Sequence, residues 1–143
     1  MKTTFPLLFL FLFPTVIFSQ DWTTNWDDAL QMAAQNDKKI ILVFSGSDWC
    51  APCIKLEKEV WETKFFKDYA AAHYVMVRAD FPKRKKNALP KAQQNHNDQL
   101  AARYNPNGYF PFIVILDKHE TILGQTGYQK KSPEEFVTML NAF

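Results

Sequence analysis

Two cysteines three residues apart are the residues of this chain best suited to chemistry. Cys50 and Cys53 are the two cysteines of the 143-residue sequence, and they lie in the segment Trp49-Cys50-Ala51-Pro52-Cys53. In the loop-entropy model, a disulfide across so short a loop stabilises a fold by roughly 2 kcal/mol, whereas one that closes a loop of about 100 residues contributes about 5 kcal/mol. The pair is therefore a poor structural staple. Its spacing suits thiol-disulfide exchange, in which one sulfur attacks a client disulfide and the other resolves the mixed disulfide.

The proline between the cysteines indicates how a helix would activate them. Pro52 fits the first turn of a helix, where its missing N–H costs no hydrogen bond. Cys50 would then cap the helix start, where unpaired backbone N–H groups and the helix dipole favour a thiolate. Cys53 follows about one turn later. The spacing therefore predicts Cys50 as the nucleophile and Cys53 as the resolving thiol.

Metal binding and an incidental pair are the alternative readings of the two cysteines. Structural zinc needs four ligands, and His73, His96 and His119 have no spacing that would supply the other two. Two soft thiolates could carry copper(I), but no extra methionine or histidine lies near the turn. We therefore expect no metal and no other cofactor.

The N-terminal segment has the composition of a secretory signal. Lys2 precedes an apolar run over residues 5–18, and small, polar Ser19 and Gln20 follow. The run is shorter than the about 20 apolar residues of a spanning helix, so an uncleaved anchor is the less favoured alternative. The sequence predicts a signal peptide at residues 1–20, a single domain at residues 21–143, and a periplasmic or secreted location.

Charge argues against a nucleic-acid partner. Without its first 20 residues, which hold one lysine and no acid, the chain has 16 basic and 15 acidic residues, so its net charge is near zero. The basic cluster Lys83–Lys86 is interpreted as a solvated connection, with docking of an acidic partner as the alternative. We expect the chain to act as a monomer.

Periodicity predicts helices and strands in alternation before and after the cysteines. Residues 26–34 have helical spacing of apolar side chains, and residues 40–44 form a continuous apolar run typical of a central strand buried on both faces. The helix that starts at the cysteines breaks near Thr63. A second strand at 74–77, a polar helix ending at 104, a strand at 112–116, a hairpin into 121–123 and a final helix starting at Ser132-Pro133-Glu134-Glu135 follow.

This order of elements around a Trp-Cys-x-Pro-Cys turn resembles the thioredoxin superfamily. The resemblance implies an α/β thioredoxin fold, a three-layer α/β/α sandwich with a central mixed sheet of about four strands. Its second specific mark is Phe110-Pro111 before the apolar strand. In that family the proline is cis and lies against the redox pair, and the preceding residue binds substrate peptide through its backbone. The implied client surface is Trp49, Phe110 and Pro111, with Pro52 as a structural turn.

Further segments are similar to a small exported bacterial subgroup and to the C-terminal domain of the transmembrane periplasmic disulfide reductase. They are residues 44–50, 57–60, 80–82 and 124–128. This similarity implies a protein thiol-disulfide oxidoreductase, with cysteine-containing client proteins and a membrane-linked thiol electron donor as partners. Proline before the second cysteine resembles the reducing members, which favours a disulfide reductase. A disulfide oxidase or isomerase, and a client-binding module without turnover, are the alternatives.

One position departs from the thioredoxin pattern. Thioredoxin has a buried aspartate six residues before its first active cysteine, where this chain has Phe44. Glu57 lies four residues after Cys53 and seven after Cys50, which puts all three on one face of a helix. We therefore name Glu57 as a catalytic candidate that takes over proton transfer at Cys53. The alternative is an ordinary glutamate paired with a surface lysine.

Overall fold

A four-stranded mixed sheet forms the centre of the fold. The computed structural model describes residues 21–143, so the signal-peptide prediction for residues 1–20 lies outside the described residues. The strands run in the order β2-β1-β3-β4. β1 and β2 are parallel, whereas β3 is antiparallel to both β1 and β4. Their bounds are Lys39–Ser45 (β1), Tyr74–Asp80 (β2), Phe112–Leu116 (β3) and Ile122–Thr126 (β4).

Helices cover both faces of the sheet. One face packs against α1 and α4, and the other packs against α2, α3 and α5. The predicted three-layer α/β/α sandwich of thioredoxin type is therefore confirmed. The helix bounds are Trp26–Asn36 (α1), Ala51–Leu56 (α2), Lys64–His73 (α3), Lys91–Tyr104 (α4) and Pro133–Asn141 (α5), with a 3-10 turn at Lys85–Asn87.

Strand β1 lies in the middle of the core and leads directly to the cysteines. Its apolar run, residues 40–44, has exposures of 2% or less. Ile41 and Val43 pack on the face of α2 and α3, whereas Ile40, Leu42 and Phe44 pack on the face of α1 and α4. Burial on both faces explains why the run has no polar alternation.

The helix that follows the cysteines changes its geometry after two turns. Helix α2 passes into a π-helical turn over Glu57–Trp61, in which the Glu62 N–H donates to the Glu57 carbonyl at 2.8 Å. Thr63 then caps α3, because its Oγ1 accepts the N–H of Phe66 at 3.3 Å. The predicted break near Thr63 is confirmed. The π turn was not predicted, and such turns are frequent at functional sites.

Helices α1 and α5 start at side-chain caps. Asn25 caps α1 by accepting the N–H groups of Asp27 and Asp28. Ser132 and Glu135 form a reciprocal capping box at the start of α5. Within residues 21–143, no helix has both the length and the hydrophobicity needed to cross a bilayer.

Candidate active site

The cysteine pair lies at the point where β1 turns into α2. The turn is closed at Gly46, whose carbonyl accepts the N–H groups of Trp49 at 3.2 Å and of Cys50 at 2.9 Å. Cys50 is the N-cap of α2, and its Sγ accepts the N–H of Cys53 at 3.3 Å. Pro52 lies in the first turn of α2, where its ring is compatible with the helix. The predicted cap geometry is therefore present.

The two sulfurs are joined in a disulfide, so the site is in its oxidised state. The Cα atoms of Cys50 and Cys53 are 5.2 Å apart. Each residue is 4% exposed. A disulfide this close to the surface, yet shielded from bulk water, can be reached by a partner that packs over the turn.

Trp49 forms a fixed apolar surface beside Cys50. Its Nε1–H donates to the carbonyl of Phe81 at 2.7 Å. The indole lies so close to Gly46 that a Cβ there would come within 2.4 Å of the ring. The ammonium of Lys83 lies 3.8 Å from the ring centroid, within the range of a cation–π contact. Trp49 nevertheless keeps 38% of its surface exposed.

Phe110 and Pro111 lie on the same side of the molecule as Trp49. The Phe110–Pro111 peptide bond is cis, as the resemblance implied. Phe110 packs edge-on against Trp49, with ring centroids 5.4 Å apart, and against Phe81 at 5.5 Å. The structure thus brings two of the three expected client-binding residues into direct contact. Tyr109 is 57% exposed and packs against Phe112 instead.

A pocket of about 310 Å³ adjoins Cys53. Its lining includes Ser45, Ser47, Glu57 and Arg78. Because the walls offer several hydrogen-bonding groups, a cavity of this size has room for water. Glu57 and Cys53 therefore line the same pocket, in agreement with their predicted placement on one helix face.

Glu57 is held in this cavity by an arginine from β2. Arg78 Nη2 lies 2.9 Å from Glu57 Oε1 and 2.7 Å from Oε2. The guanidinium also stacks on Trp22, 4.1 Å from the ring centroid. Both partners of the ion pair are about 30% exposed or less. The alternative interpretation, a glutamate paired with a surface lysine, is therefore wrong about the partner. Glu57 forms a partly buried pair with Arg78.

Arg78 was missed because the strand was recognised by its apolar residues 74–77, and no role was assigned to the residues between them and the strand end at Asp80-Phe81-Pro82. The available signal was a charged residue directly after that apolar run, since arginine is almost never buried unless it is paired.

Phe44, by contrast, fills its position as an apolar residue. It is fully buried and lies 6.5 Å from the ring of Phe112, so no acid occupies the place of thioredoxin's aspartate.

Two aspartates connect the cysteine loop to the end of β2 and to the segment that follows it. Asp48 accepts the backbone N–H groups of Lys83 and Arg84 and the side-chain amide of Asn87. These hydrogen bonds, that of the Lys83 N–H above all, hold the pKa of Asp48 below its usual range. Asp80 accepts from the N–H and the hydroxyl of Ser47. The Asp48 carboxylate is thus engaged by the basic segment.

The described residues contain no cluster of three or more histidine, cysteine or acidic side chains placed to hold a metal ion. The groups assembled around Cys50 and Cys53 are instead a disulfide at a helix start that Cys50 caps, an apolar surface beside it and a pocket that Glu57 and Arg78 line. This set can carry out dithiol-disulfide exchange without another group. Fold and site together define a thioredoxin-fold thiol-disulfide oxidoreductase.

Comparison with known proteins agrees with this class. Residues 21–118 match the family model described as thioredoxin-like, and the chain belongs to that family. It is 34% identical over 118 residues to the disulfide bond reductase DsbH of Chlamydia pneumoniae, covering 82% of this chain and 69% of the relative. The thioredoxin-related protein DsbJ of the same organism is 28% identical over 106 residues, covering 74% of this chain but only 30% of the relative.

A solved structure of a DsbH oxidoreductase has the same fold. It superposes with a TM-score of 0.79 at 31% sequence identity, covering 87% of this chain and 83% of the other. The similarity extends beyond the cysteine turn to almost the whole described domain. The chain is therefore a thiol-disulfide oxidoreductase of the thioredoxin-like family, similar to DsbH over most of its length.

Proposed function

We propose that the chain is a disulfide reductase of exported proteins that contain cysteines. The observation that carries the direction is the 34% identity with a protein named as a disulfide bond reductase. Pro52 before the second cysteine supports the same direction, since it resembles the reducing members of the superfamily. Nothing in the exchange requires a metal or an organic cofactor, because the two sulfurs carry both electrons.

The proposed cycle starts from the reduced pair. The Cys50 thiolate attacks a client disulfide, so that one client sulfur bonds to Cys50 and the other leaves as a thiolate. Cys53 then loses its proton and attacks the Cys50 sulfur, which releases the second client thiolate. Two electrons have passed to the client, and the Cys50–Cys53 disulfide remains. A membrane-linked thiol donor is proposed to return the two electrons.

The client is proposed to lie across Trp49, Phe110 and Pro111. Trp49 and Phe110 provide an apolar wall beside the buried nucleophile. Pro111 follows the cis bond, and the backbone around it is proposed to pair with an extended client peptide. The same surface could instead hold clients without turnover, which would make the chain a binding module.

Replacing the resolving thiol separates these two possibilities. Cys53→Ser should accumulate a disulfide-linked adduct between Cys50 and a client peptide, because the second exchange cannot occur. The adduct should disappear in the Cys50→Ser variant, which serves as the control. Client holding that is equal in the parent and in both variants, without a covalent adduct, would support the binding module and contradict the reductase.

The reduction potential tests the direction of electron flow. Equilibration of the Cys50–Cys53 pair with a glutathione series should give a potential nearer to thioredoxin, about −270 mV, than to the strong periplasmic oxidant, about −120 mV. A value well above about −180 mV would end the reductase proposal. It would point to an oxidase or isomerase.

Glu57 is proposed to accept the proton of Cys53 during resolution. Support comes from the pocket that Glu57 and Cys53 both line and from the contact with Arg78, which holds the carboxylate in one place. The backbone N–H of Glu57 also donates to the Cys53 carbonyl, so the two residues are joined by one helical turn. In this view Arg78 is a positioning residue that acts through Glu57.

A pair of glutamine variants tests this role. Glu57→Gln should slow resolution of the mixed disulfide, with the largest loss below the ordinary thiol pKa of about 8.5, where a base is needed most. Glu62→Gln is the matched control, because Glu62 lines the same cavity without contacting Arg78. Parental resolution rates for Glu57→Gln across about pH 6 to 9 would remove the proposal.

Export and oligomeric state complete the proposed function. Residues 1–20 are proposed to act as a cleaved secretory signal, which would place a monomeric domain in the periplasm or outside the cell. Intact-mass measurement of the exported protein should give a start near residue 21. Light scattering on that protein should give the mass of one chain.

A further inference from the structure

The basic segment Lys83–Lys86 is attached directly to the cysteine loop. Asp48 Oδ1 accepts the Lys83 N–H at 2.9 Å, and its Oδ2 accepts the Arg84 N–H at 3.0 Å. Asn87 adds a side-chain bond of 2.9 Å to the same carboxylate. Because Asp48 is two residues before Cys50, the segment is held at a fixed place beside the nucleophile. A merely solvated connection would not need this attachment.

The four cationic side chains of this segment are available to a partner. All four residues are exposed, and none of them takes part in the ion pairs found within residues 21–143. Two carboxylates accept hydrogen bonds here: Asp48 from the basic segment and Asp80 from Ser47 of the cysteine loop. Four cations against these two anions leave two positive charges in excess at the rim of the site.

One of these charges extends over the apolar surface itself. The Lys83 ammonium lies 3.8 Å from the centroid of the Trp49 ring, and Trp49 packs on Phe110. A peptide that contacts Trp49 therefore meets positive charge at the same time. The apolar wall and the cationic rim form one continuous surface.

We propose that this surface, Lys83–Lys86 with Trp49, selects oxidised client proteins that carry acidic side chains next to the reacting disulfide. The inference rests on the proposed reductase function and specifies its substrate class. Complementary charge would raise the rate of encounter and fix the orientation of the client. The electron and proton balance of the exchange is unchanged.

Three disulfide peptides that differ only in the residues beside the cysteines test the proposal. The flanks are glutamate, serine or lysine, and the measured quantity is the second-order rate of peptide reduction by the fully reduced protein. We expect the rates to fall in the order glutamate, serine, lysine, with about tenfold between the extremes at low salt. The spread should shrink once the Debye length falls to about 3 Å near 1 M salt.

Charge reversal supplies the matched pair of variants. The variant Arg84→Glu/Lys85→Glu/Lys86→Glu keeps Lys83 and the backbone bonds to Asp48, and it should invert the peptide order while leaving the serine peptide within about twofold. The control replaces Lys67, Lys130 and Lys131 with glutamate. It makes the same change in net charge outside the basic segment and should keep the parental order.

Each outcome separates this inference from the proposed function. If the serine peptide is not reduced, the reductase proposal itself fails. If it is reduced but the three peptides react at equal rates, or if both triple variants shift the order equally, only the charge-selection proposal is overturned. A different result would point to another anionic partner. In that case the three peptides react at equal rates, and the first variant loses binding to an oligonucleotide or to phosphatidylglycerol vesicles.

Discussion

Gly46 is the position where a single added methyl group would disturb the active-site surface most directly. In the native turn a Cβ at this position would lie 2.4 to 2.6 Å from three atoms of the Trp49 indole. Ordinary contact begins at 3.4 Å, so in Gly46→Ala the ring would have to move by about 1 Å. The ring is the far part of a side chain that packs on Phe110, and its hydrogen bond to Phe81 and its cation–π contact with Lys83 would both weaken.

The magnitude follows from those two contacts. Loss of the 2.7 Å bond from Trp49 Nε1 to the Phe81 carbonyl should cost about 0.5–1.5 kcal/mol. Loss of the Lys83 cation–π contact should cost about 0.5–1 kcal/mol at an exposed site. Alanine raises the free energy of unfolding by about 0.4–1 kcal/mol, because it restricts the unfolded chain. The free energy of unfolding of Gly46→Ala should therefore fall by about 1 kcal/mol.

Function should change more than stability. With Trp49 displaced, the rate of reduction of a disulfide peptide should fall about tenfold, which corresponds to ~1.4 kcal/mol of lost transition-state contact. Reaction with a small aliphatic disulfide should change much less, because the Cys50 cap and its bond to the Cys53 N–H stay in place. The two rates, measured by stopped-flow tryptophan fluorescence, separate damage to the client surface from damage to the thiol.

Gly127→Ala is the matched control. The nearest heavy atom to a Cβ at Gly127 is the Pro111 carbonyl oxygen at 3.5 Å, an ordinary contact. This variant should be as stable as the parent or slightly more stable, with an unchanged rate for the small aliphatic disulfide. The reasoning is refuted if urea unfolding and peptide reduction give Gly46→Ala the same values as Gly127→Ala.

Two further predictions concern stability. Ser132→Ala removes one side of the capping box of α5 and should lower the free energy of unfolding by about 1 kcal/mol, whereas Ser132→Thr, which keeps the hydroxyl, should lose much less. Burial raises the pKa of Tyr74, and burial with a hydrogen bond to Glu120 raises the pKa of Tyr104 to about 12. Since the unfolded phenols titrate near 10, their contribution to stability is complete below about pH 10 and should be lost as the pH rises towards 12. Tyrosinate absorbance near pH 11 should be lower in the native protein than in urea, and equal absorbance would contradict the burial of these two phenols.

Much of the active site could be predicted from local sequence, because its signals are local. A cap, a first-turn proline and a resolving thiol lie within four consecutive residues, Cys50 to Cys53, and each acts through the geometry of one helix start. The buried strand before them needs only a continuous apolar run. The placement of Phe110–Pro111 beside Trp49 came from the resemblance to a family, since a cis proline has no reliable local signal.

Only the tertiary structure shows which charged residues contact one another near the cysteine pair. Arg78 reaches Glu57 from a neighbouring strand, 21 residues away in the chain, and Asp48 reaches the basic segment across 35 and 36 residues. Such contacts depend on strand register and loop packing, which periodicity does not encode. The sequence by itself therefore determined the cysteine pair and its helix, because these follow from local spacing and burial, and the resemblance to a family implied the fold. Only the packed structure shows that Glu57 pairs with Arg78 and that Asp48 holds the basic segment Lys83–Lys86 beside the cysteine loop.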